Sequence, residues 1–216
     1  WSGVPIKDIL DEVGIKPGAD ALLSKSQDGW TAGTPLKALT DGRNALLAVA
    51  MDGQPLPIEH GFPVRQVVPG LYGYVSATKW VVDWEITRFE DFSAYWTVRG
   101  WSPKGPIKTE SRIDVPRGKA KAGTVKVAGT AWAQHRGVKG VEVRVDGGPW
   151  NQATLAKVPN IDTWVQWVWE WEAEAGDHIL EVRATDSSGT PQTSARADVL
   201  PDGATGYDRR TVTVTT

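Results

Sequence analysis

The sequence contains no cysteine. That absence excludes a disulfide framework, a zinc–thiolate centre and a cysteine nucleophile. Histidine is scarce, and His60, His135 and His178 lie too far apart in the chain to form a local metal motif. Charge of one sign is not in excess: 24 Lys and Arg face 26 Asp and Glu, a formal net charge of -2. Nothing global therefore draws the chain toward nucleic acid or an anionic membrane. No run approaches the eighteen or so apolar residues of a membrane span. No signal-peptide pattern is visible at the start. Neither a Walker-type G-x-x-x-x-G-K-[ST] nor a G-x-G-x-x-G occurs, and no internal repeat is found. The chain opens at Trp1 rather than Met, so the expectation is that the natural N-terminus lies further upstream.

Against three Phe and four Tyr stand twelve Trp. Core filling explains most such rings, because Trp buries a large area and its indole N–H finds a partner. A tryptophan-lined sugar or cation site is the alternative. A length of 216 residues allows one large domain or two ordinary ones.

The first part of the chain alternates helical and strand patterns. In "PIKDILDEVG", Ile6, Ile9, Leu10 and Val13 fall at helical spacing, with Pro5 at the first turn and Gly14 at the stop. "ADALLSKS" reads as a strand and "TPLKALTDG" as a short helix ended by Gly42. "NALLAVAMDGQPL" reads as an apolar strand followed by an Asp-Gly turn. "FPVRQVVPG" and "ATKWVVDWEI" add two more strands. From about 89 the pattern degrades, and the Pro-, Gly- and charge-rich stretch 101–121 reads as a linker. After it every element reads as strand. Val141, Val143 and Val145 share one face of "GVEVRVDGG", and Val165, Trp167, Trp169 and Trp171 share one face of "TWVQWVWEWEAE". "HILEVRATDSSG" places Leu180, Val182 and Ala184 together. Short strands separated by turn signals predict a sandwich of immunoglobulin type.

The stretch "HGFPVRQVVPGLYGYVSATKW", residues 60 to 80, sets His60, Arg65 and Lys79 among turn formers. Gly70 and Gly73 allow close backbone approach, and Ser76, Thr78 and Lys79 follow within a few residues. Backbone N–H groups, hydroxyls and an ammonium on one turn make an anion cradle. Arg65 adds a planar clamp suited to phosphate, and His60 can donate or accept near neutrality. The chemistry implied is recognition of a phosphorylated, polar small molecule. A plainer reading stays open, with Arg65 and Lys79 facing solvent from strands and His60 an ordinary loop histidine.

The run "MDGQPLPIEHGFPVRQVVPGLYGYVSATKWV" resembles the sulfite oxidase family of molybdopterin enzymes: N-G-x-P-L-P, then H-G-x-P-x-R, V-V-P-G and K-W. "WSGVPIKDILDEVG" is similar to the family's W-x-G-V-x-L-x-D-[IVL]-L segment. "GTAWA", "VEVRVDGG" and "ILEVRATDSSGTPQ" resemble its C-terminal dimerisation domain. The resemblance implies an α+β cofactor domain of sulfite oxidase type, here incomplete, over residues 1–100. A linker over 101–121 and an all-β immunoglobulin-like dimerisation sandwich over 122–216 would follow. It implies a molybdopterin cofactor in the full-length protein, held by His60, Arg65, Ser76, Ala77, Thr78 and Lys79. Arg136 matches an arginine that the second domain sends toward an anionic substrate, with Lys139 as its rival, and Trp1 an aromatic near the substrate pocket. The full protein would then perform two-electron redox or oxygen-atom transfer at molybdenum.

Two departures qualify that picture. The family ligates molybdenum through a cysteine upstream of the W-x-G-V segment, and this chain has none. The expectation is a fragment that is inactive alone, binds no cofactor by itself and contributes no metal ligand. The second departure is Val49, which stands where sulfite oxidase has a tyrosine. It cannot hydrogen-bond, which argues against sulfite itself as substrate. Expected partners are a second copy of the chain, a small anionic or oxygen-atom-transfer substrate and an electron-transfer protein of unspecified kind, with no nucleic acid. An extracytoplasmic domain of an exported or membrane-anchored bacterial protein is the setting considered. The alternatives from other classes are a non-catalytic assembly module and a carbohydrate-binding sandwich, the latter needing two or three coplanar exposed Trp rings.

The homodimer expectation has a reason of its own. Six tryptophans fall in the sandwich region: Trp132, Trp150, Trp164, Trp167, Trp169 and Trp171. About a hundred residues are hard pressed to cover all of them, and surplus aromatic surface, with Val168 on the outer face, marks an interface.

Overall fold

A computed structural model describes residues 1–216. The chain divides into two units, Trp1–Pro106 with Leu200–Asp202, and Ile107–Val199 with Gly203–Thr216.

The first unit mixes helix and strand in chain order: β1 (Ser2–Pro5), α1 (Ile6–Val13), β2 (Ala21–Ser26), β3 (Thr31–Pro35), α2 (Leu36–Thr40), β4 (Leu46–Met51), β5 (Gln54–Pro55), β6 (Arg65–Val67) and β7 (Val81–Thr87). Helix α1 buries Ile6 and Leu10, one turn apart, and stops at Gly14, whose N–H bonds the Leu10 carbonyl. α2 buries Leu36, Ala38 and Leu39. Both feed one core with Leu22, Ala45, Val68, Leu71 and Val75. β4 is the organiser of one sheet, pairing antiparallel with β1, β5 and β6. β2 lies between β3 and β7 in a second, three-stranded antiparallel sheet. The Asp52-Gly53 turn joins β4 to β5, and both residues hold positive φ, as a tight hairpin demands.

The second unit is all strand: β8 (Glu110–Val115), β9 (Lys119–Lys121), β10 (Gly123–Trp132), β11 (Val138–Val145), β12 (Asn151–Gln152), β13 (Thr154–Leu155), β14 (Val165–Ala173), β15 (Gly176–Asp186) and β16 (Asp208–Thr215). They form two sheets, ordered β13-β14-β10-β8 and β12-β11-β15-β16-β9. Period-two alternation sends Ile113, Val127, Ala131, Trp167 and Trp171 from one sheet, and Val141, Val143, Leu180, Val182 and Val212 from the other, into a single core. The Trp167 ring packs over β10 at Gly129, where a Cβ would stand 2.8 Å from the ring and 1.8 Å from the Arg112 carbonyl oxygen.

The outer face of the five-stranded sheet carries the charges. Glu181, almost wholly buried, accepts from Arg144 (2.7 Å) and Arg209 (2.6 Å), which hold its carboxyl below the usual range against the upward push of burial. Arg144 and Arg183 both stack on Trp150, at 4.5 and 4.3 Å from its ring centroid. At one end of the unit His178 bonds Asp146 through Nδ1 (2.7 Å) and the Glu174 carbonyl through Nε2 (3.0 Å).

Residues 101–121 are not a free linker. Ile107 opens the second unit, and β8 and β9 are members of its two sheets. Ser111 and Ile113 alternate into the interior there, a short pattern obscured by flanking prolines and charges. Tryptophan exposure bears on the sugar-binding alternative. In the second unit only Trp164 is strongly exposed, at 51%, and its neighbour Trp132 is tilted by 49° to it, so no coplanar platform exists.

Candidate anion and cofactor site

A single 3-10 turn, Ile58–His60, organises the site. It closes with Gly61 in the left-handed region at φ +110°. The carbonyls of its three residues point to three side chains in succession. Trp80 Nε1 donates to the Ile58 oxygen (2.8 Å), Lys79 Nζ to the Glu59 oxygen (3.0 Å) and Arg65 Nη1 to the His60 oxygen (3.2 Å). A Cβ on Gly61 would lie 3.0 Å from Arg65 Cβ and 3.1 Å from Lys79 Cβ. Only glycine lets the ends of β6 and the 79–80 segment come this close. His60, Arg65 and Lys79 are thus brought together, as the resemblance implied. The His60 ring itself is exposed and its contribution to the turn is its carbonyl.

Both cations lack a carboxylate partner. Arg65 is the more constrained. Its Nε–H is buried without an acceptor, and its guanidinium lies 4.9 Å from the Trp1 ring centroid. Burial pulls its pKa down from the ordinary value. Lys79 Nζ sits 4.7 Å from the Trp80 ring centroid. Two positive charges held by neutral carbonyls and aromatic faces, with no ion pair to either, leave a positive field that can attract an anion, weakened at Lys79 by Asp28.

Lys79 and Ala77 also line a cavity of about 420 Å³, together with Asp28, Trp30, Tyr74, Trp80 and Trp96. Asp28 is an exposed carboxylate held below its usual range first by the Trp30 backbone N–H, then by Ser26, with a small pull from Lys79. The cavity is therefore aromatic in its walls and bears one charge of each sign.

The loop hydroxyls fare differently from the cations. Ser76 Oγ donates to the Tyr72 carbonyl (2.9 Å), and Thr78 Oγ1 shares a hydrogen with Ser24 Oγ (2.5 Å) in the interior. The backbone N–H groups of Ser76 and Ala77 both bond the Gly73 carbonyl. Of the donors anticipated for a cradle over residues 76–78, the two hydroxyls and the N–H groups of Ser76 and Ala77 are engaged within the protein. Arg136, in the second unit, is engaged with Asp186 (3.1 Å), Thr109 Oγ1 (2.9 Å) and the Ile107 carbonyl (3.3 Å). Lys139 is exposed. Val49, whose side chain cannot hydrogen-bond, is exposed at 49%.

Residues 1–96 match the family described as the oxidoreductase molybdopterin binding domain. Mouse mitochondrial sulfite oxidase is 31% identical over 237 residues, spanning 92% of this chain and 43% of that protein. The chain belongs to the sulfite oxidase family of molybdopterin oxidoreductases. The uncharacterized oxidoreductase YuiH of Bacillus subtilis is 37% identical over 105 residues, 49% of this chain and 52% of that protein. The sulfane dehydrogenase SoxCD of Paracoccus pantotrophus shares the fold, with a TM-score of 0.74 at 23% identity over 99% of this chain and 62% of that one. The chain spans about half the length of the curated relatives it matches.

Molybdopterin is the cofactor of the full-length sulfite oxidase family protein. Its phosphate fits the donor set seen here, since Arg65 and Lys79 are unpaired by carboxylates and Arg65 Nε–H lacks an acceptor. Its metal finds no ligand in these residues. The chain has no thiolate, and no cluster of three His, Cys, Asp or Glu side chains is present.

Sequence reasoning did not anticipate the Ile58–His60 carbonyl row, the role of Gly61 or the wall residues Asp28 and Trp30. Gly61 carried a signal: it follows His60 inside the H-G-x-P-x-R motif, and a glycine so placed between cations implies close approach. Side chain-to-carbonyl bonds leave no such trace.

Proposed function

We propose that this chain supplies the anion-binding end of a molybdopterin site, together with an immunoglobulin-like sandwich that pairs two copies. The observation that carries the reading is the juxtaposition of Arg65 and Lys79 across Gly61, neither of them in an ion pair and only Lys79 feeling a weak pull from Asp28. In the full protein the cofactor supplies two-electron redox chemistry at molybdenum. The chain's own residues bind and orient. Arg65 offers a planar guanidinium with its Nε–H lacking an acceptor, and Lys79 offers a compact charge. Trp30, Tyr74 and Trp96 wall the cavity beside Lys79 with aromatic surface. Arg136, steadied by Asp186, is the residue proposed to meet a small anionic or oxygen-atom-transfer substrate. Val49 offers that substrate no hydrogen bond, which favours one other than sulfite. The absence of any thiolate means this chain alone is proposed to be inactive and metal-free.

Titration of the purified chain with inorganic phosphate tests the reading. Saturable binding is expected in the wild type, and Arg65→Gln with Lys79→Gln should weaken it by about 10²-fold, the loss of two charge-assisted hydrogen bonds. Equal phosphate affinity in the wild type and the double variant would overturn it.

A further inference from the structure

We propose that Trp80 is a positioning residue for the cation pair, a role that rests on the anion-site reading above. Lys79 and Trp80 are neighbours in sequence, and in an extended strand neighbouring side chains point to opposite faces. Here they reach adjacent carbonyls of one turn, Lys79 to Glu59 and Trp80 to Ile58. The break in alternation lies in the backbone of Trp80, which holds φ +49°, the left-handed region that a bulky L-residue rarely adopts. Such a conformation persists only where surrounding contacts enforce it.

The backbone is held where Gln27 N–H donates to the Trp80 carbonyl (2.9 Å), and the indole adds a second anchor. Its N–H is fixed to the Ile58 carbonyl at 2.8 Å, and the same oxygen also accepts from Gly61 N–H at 3.0 Å. The indole thus grips the turn at its first residue and at the hinge glycine together. The next two carbonyls hold Lys79 and Arg65. The orientation of the turn therefore fixes where the ammonium and the guanidinium stand. The Trp80 ring also faces Lys79 Nζ at 4.7 Å, which steadies the ammonium without neutralising it. A carboxylate in that place would cancel the charge that an incoming anion needs. An aromatic face with one N–H gives placement and leaves the charge intact.

The test uses the whole chain, inorganic phosphate as probe, and the Arg65 side-chain Nε–H resonance as the readout of where the guanidinium stands. In the wild type, phosphate should shift that resonance saturably. Trp80→Phe keeps a ring and removes the N–H. It should weaken phosphate binding about fivefold, the effect of one hydrogen bond, and should displace the Arg65 resonance before any phosphate is added. A merely structural tryptophan would alter thermal stability and leave the Arg65 resonance where it was. Site-specific replacement of Trp80 by benzothienylalanine, which has the indole shape without the N–H, repeats the test if Trp80→Phe does not fold. Wild-type affinity and an unmoved Arg65 resonance in a folded Trp80 variant would overturn the positioning role. Failure of the wild type to bind phosphate at all would instead overturn the anion site, and the positioning role with it.

Discussion

Replacing Gly61 by alanine places one methyl group where the two cation-bearing segments meet. The new Cβ would stand 3.0 Å from Arg65 Cβ, 3.1 Å from Lys79 Cβ and 3.2 Å from Lys79 Cα. None of these atoms is the free end of a flexible side chain, so relief requires backbone movement. Overpacking of this kind costs about 1–3 kcal/mol. The backbone adds its own term, because φ +110° is open to glycine and strained for alanine, at about 1–2 kcal/mol. Gly61→Ala should therefore lower unfolding free energy by about 2–5 kcal/mol, the sum of the two terms, read from urea denaturation of the first unit's transition. Separation of Arg65 from Lys79 should also weaken phosphate binding by more than tenfold under conditions where the variant is still folded. An unfolding free energy within about 0.5 kcal/mol of wild type, the usual span of a neutral surface change, would refute the steric argument. Retained phosphate affinity in a destabilised variant would separate the packing of the turn from its role in the site.

Glu110 offers a pH test in the second unit. Burial pushes its carboxyl up from 4.5 to about 7, against a smaller pull from Lys108. The folded state therefore holds this proton more tightly than the unfolded chain, and stability should fall as pH rises from 4.5 to 7 and level off above. Glu110→Gln should remove that fall and be more stable than wild type at pH 8 by roughly 1–2 kcal/mol, after allowance for solvent screening; parallel pH profiles would contradict it. For the proposed pairing of two copies, sedimentation equilibrium should give twice the 23.5 kDa chain mass at micromolar concentration. Val168→Lys, on the outer face of β14, should return it to monomer; a monomeric wild type would reject the pairing.

The two units differ in what their sequences made legible. Apolar alternation in β10, β11, β14, β15 and β16 exposed the core of the second unit directly, because the apolar side chains there follow the strand period, while buried Glu181 on the other face of β15 is set by its arginines. β8 escaped notice because only Ser111 and Ile113 are fully interior and Pro116, Arg117 and Lys119 follow at once. In the first unit the helices and most strands followed from apolar spacing and turn residues. The partition of the interior between two small sheets did not, since β4 must be paired with β1, β5 and β6 from both sides of the sequence. Non-local pairing of that kind is written in tertiary packing and has no local signature.

The site divides along the same physical line. Residue types and spacing leave the grouping of His60, Arg65 and Lys79 open against plain solvent-facing cations, and the motif resemblance is what implies it; around the Ile58–His60 turn the three do stand together. Residue types and spacing misplaced Ser76 and Thr78, because a hydroxyl satisfies its hydrogen-bonding needs with whichever acceptor is nearest. For Thr78 that acceptor is Ser24, 54 residues away in sequence and paired only by the fold. Long side chains have the opposite property. Lys79 and Arg65 reach neutral carbonyls that compensate hydrogen bonds and not charge, so the field they create survives folding. A charge bonded to neutral acceptors remains available to a ligand, whereas Arg136, which meets Asp186 at 3.1 Å, has most of its field cancelled before any substrate arrives. On that ground Arg65 and Lys79 are the stronger anion donors of the chain. The proposed substrate role of Arg136 would rest on the donors that Asp186, Thr109 and Ile107 leave free.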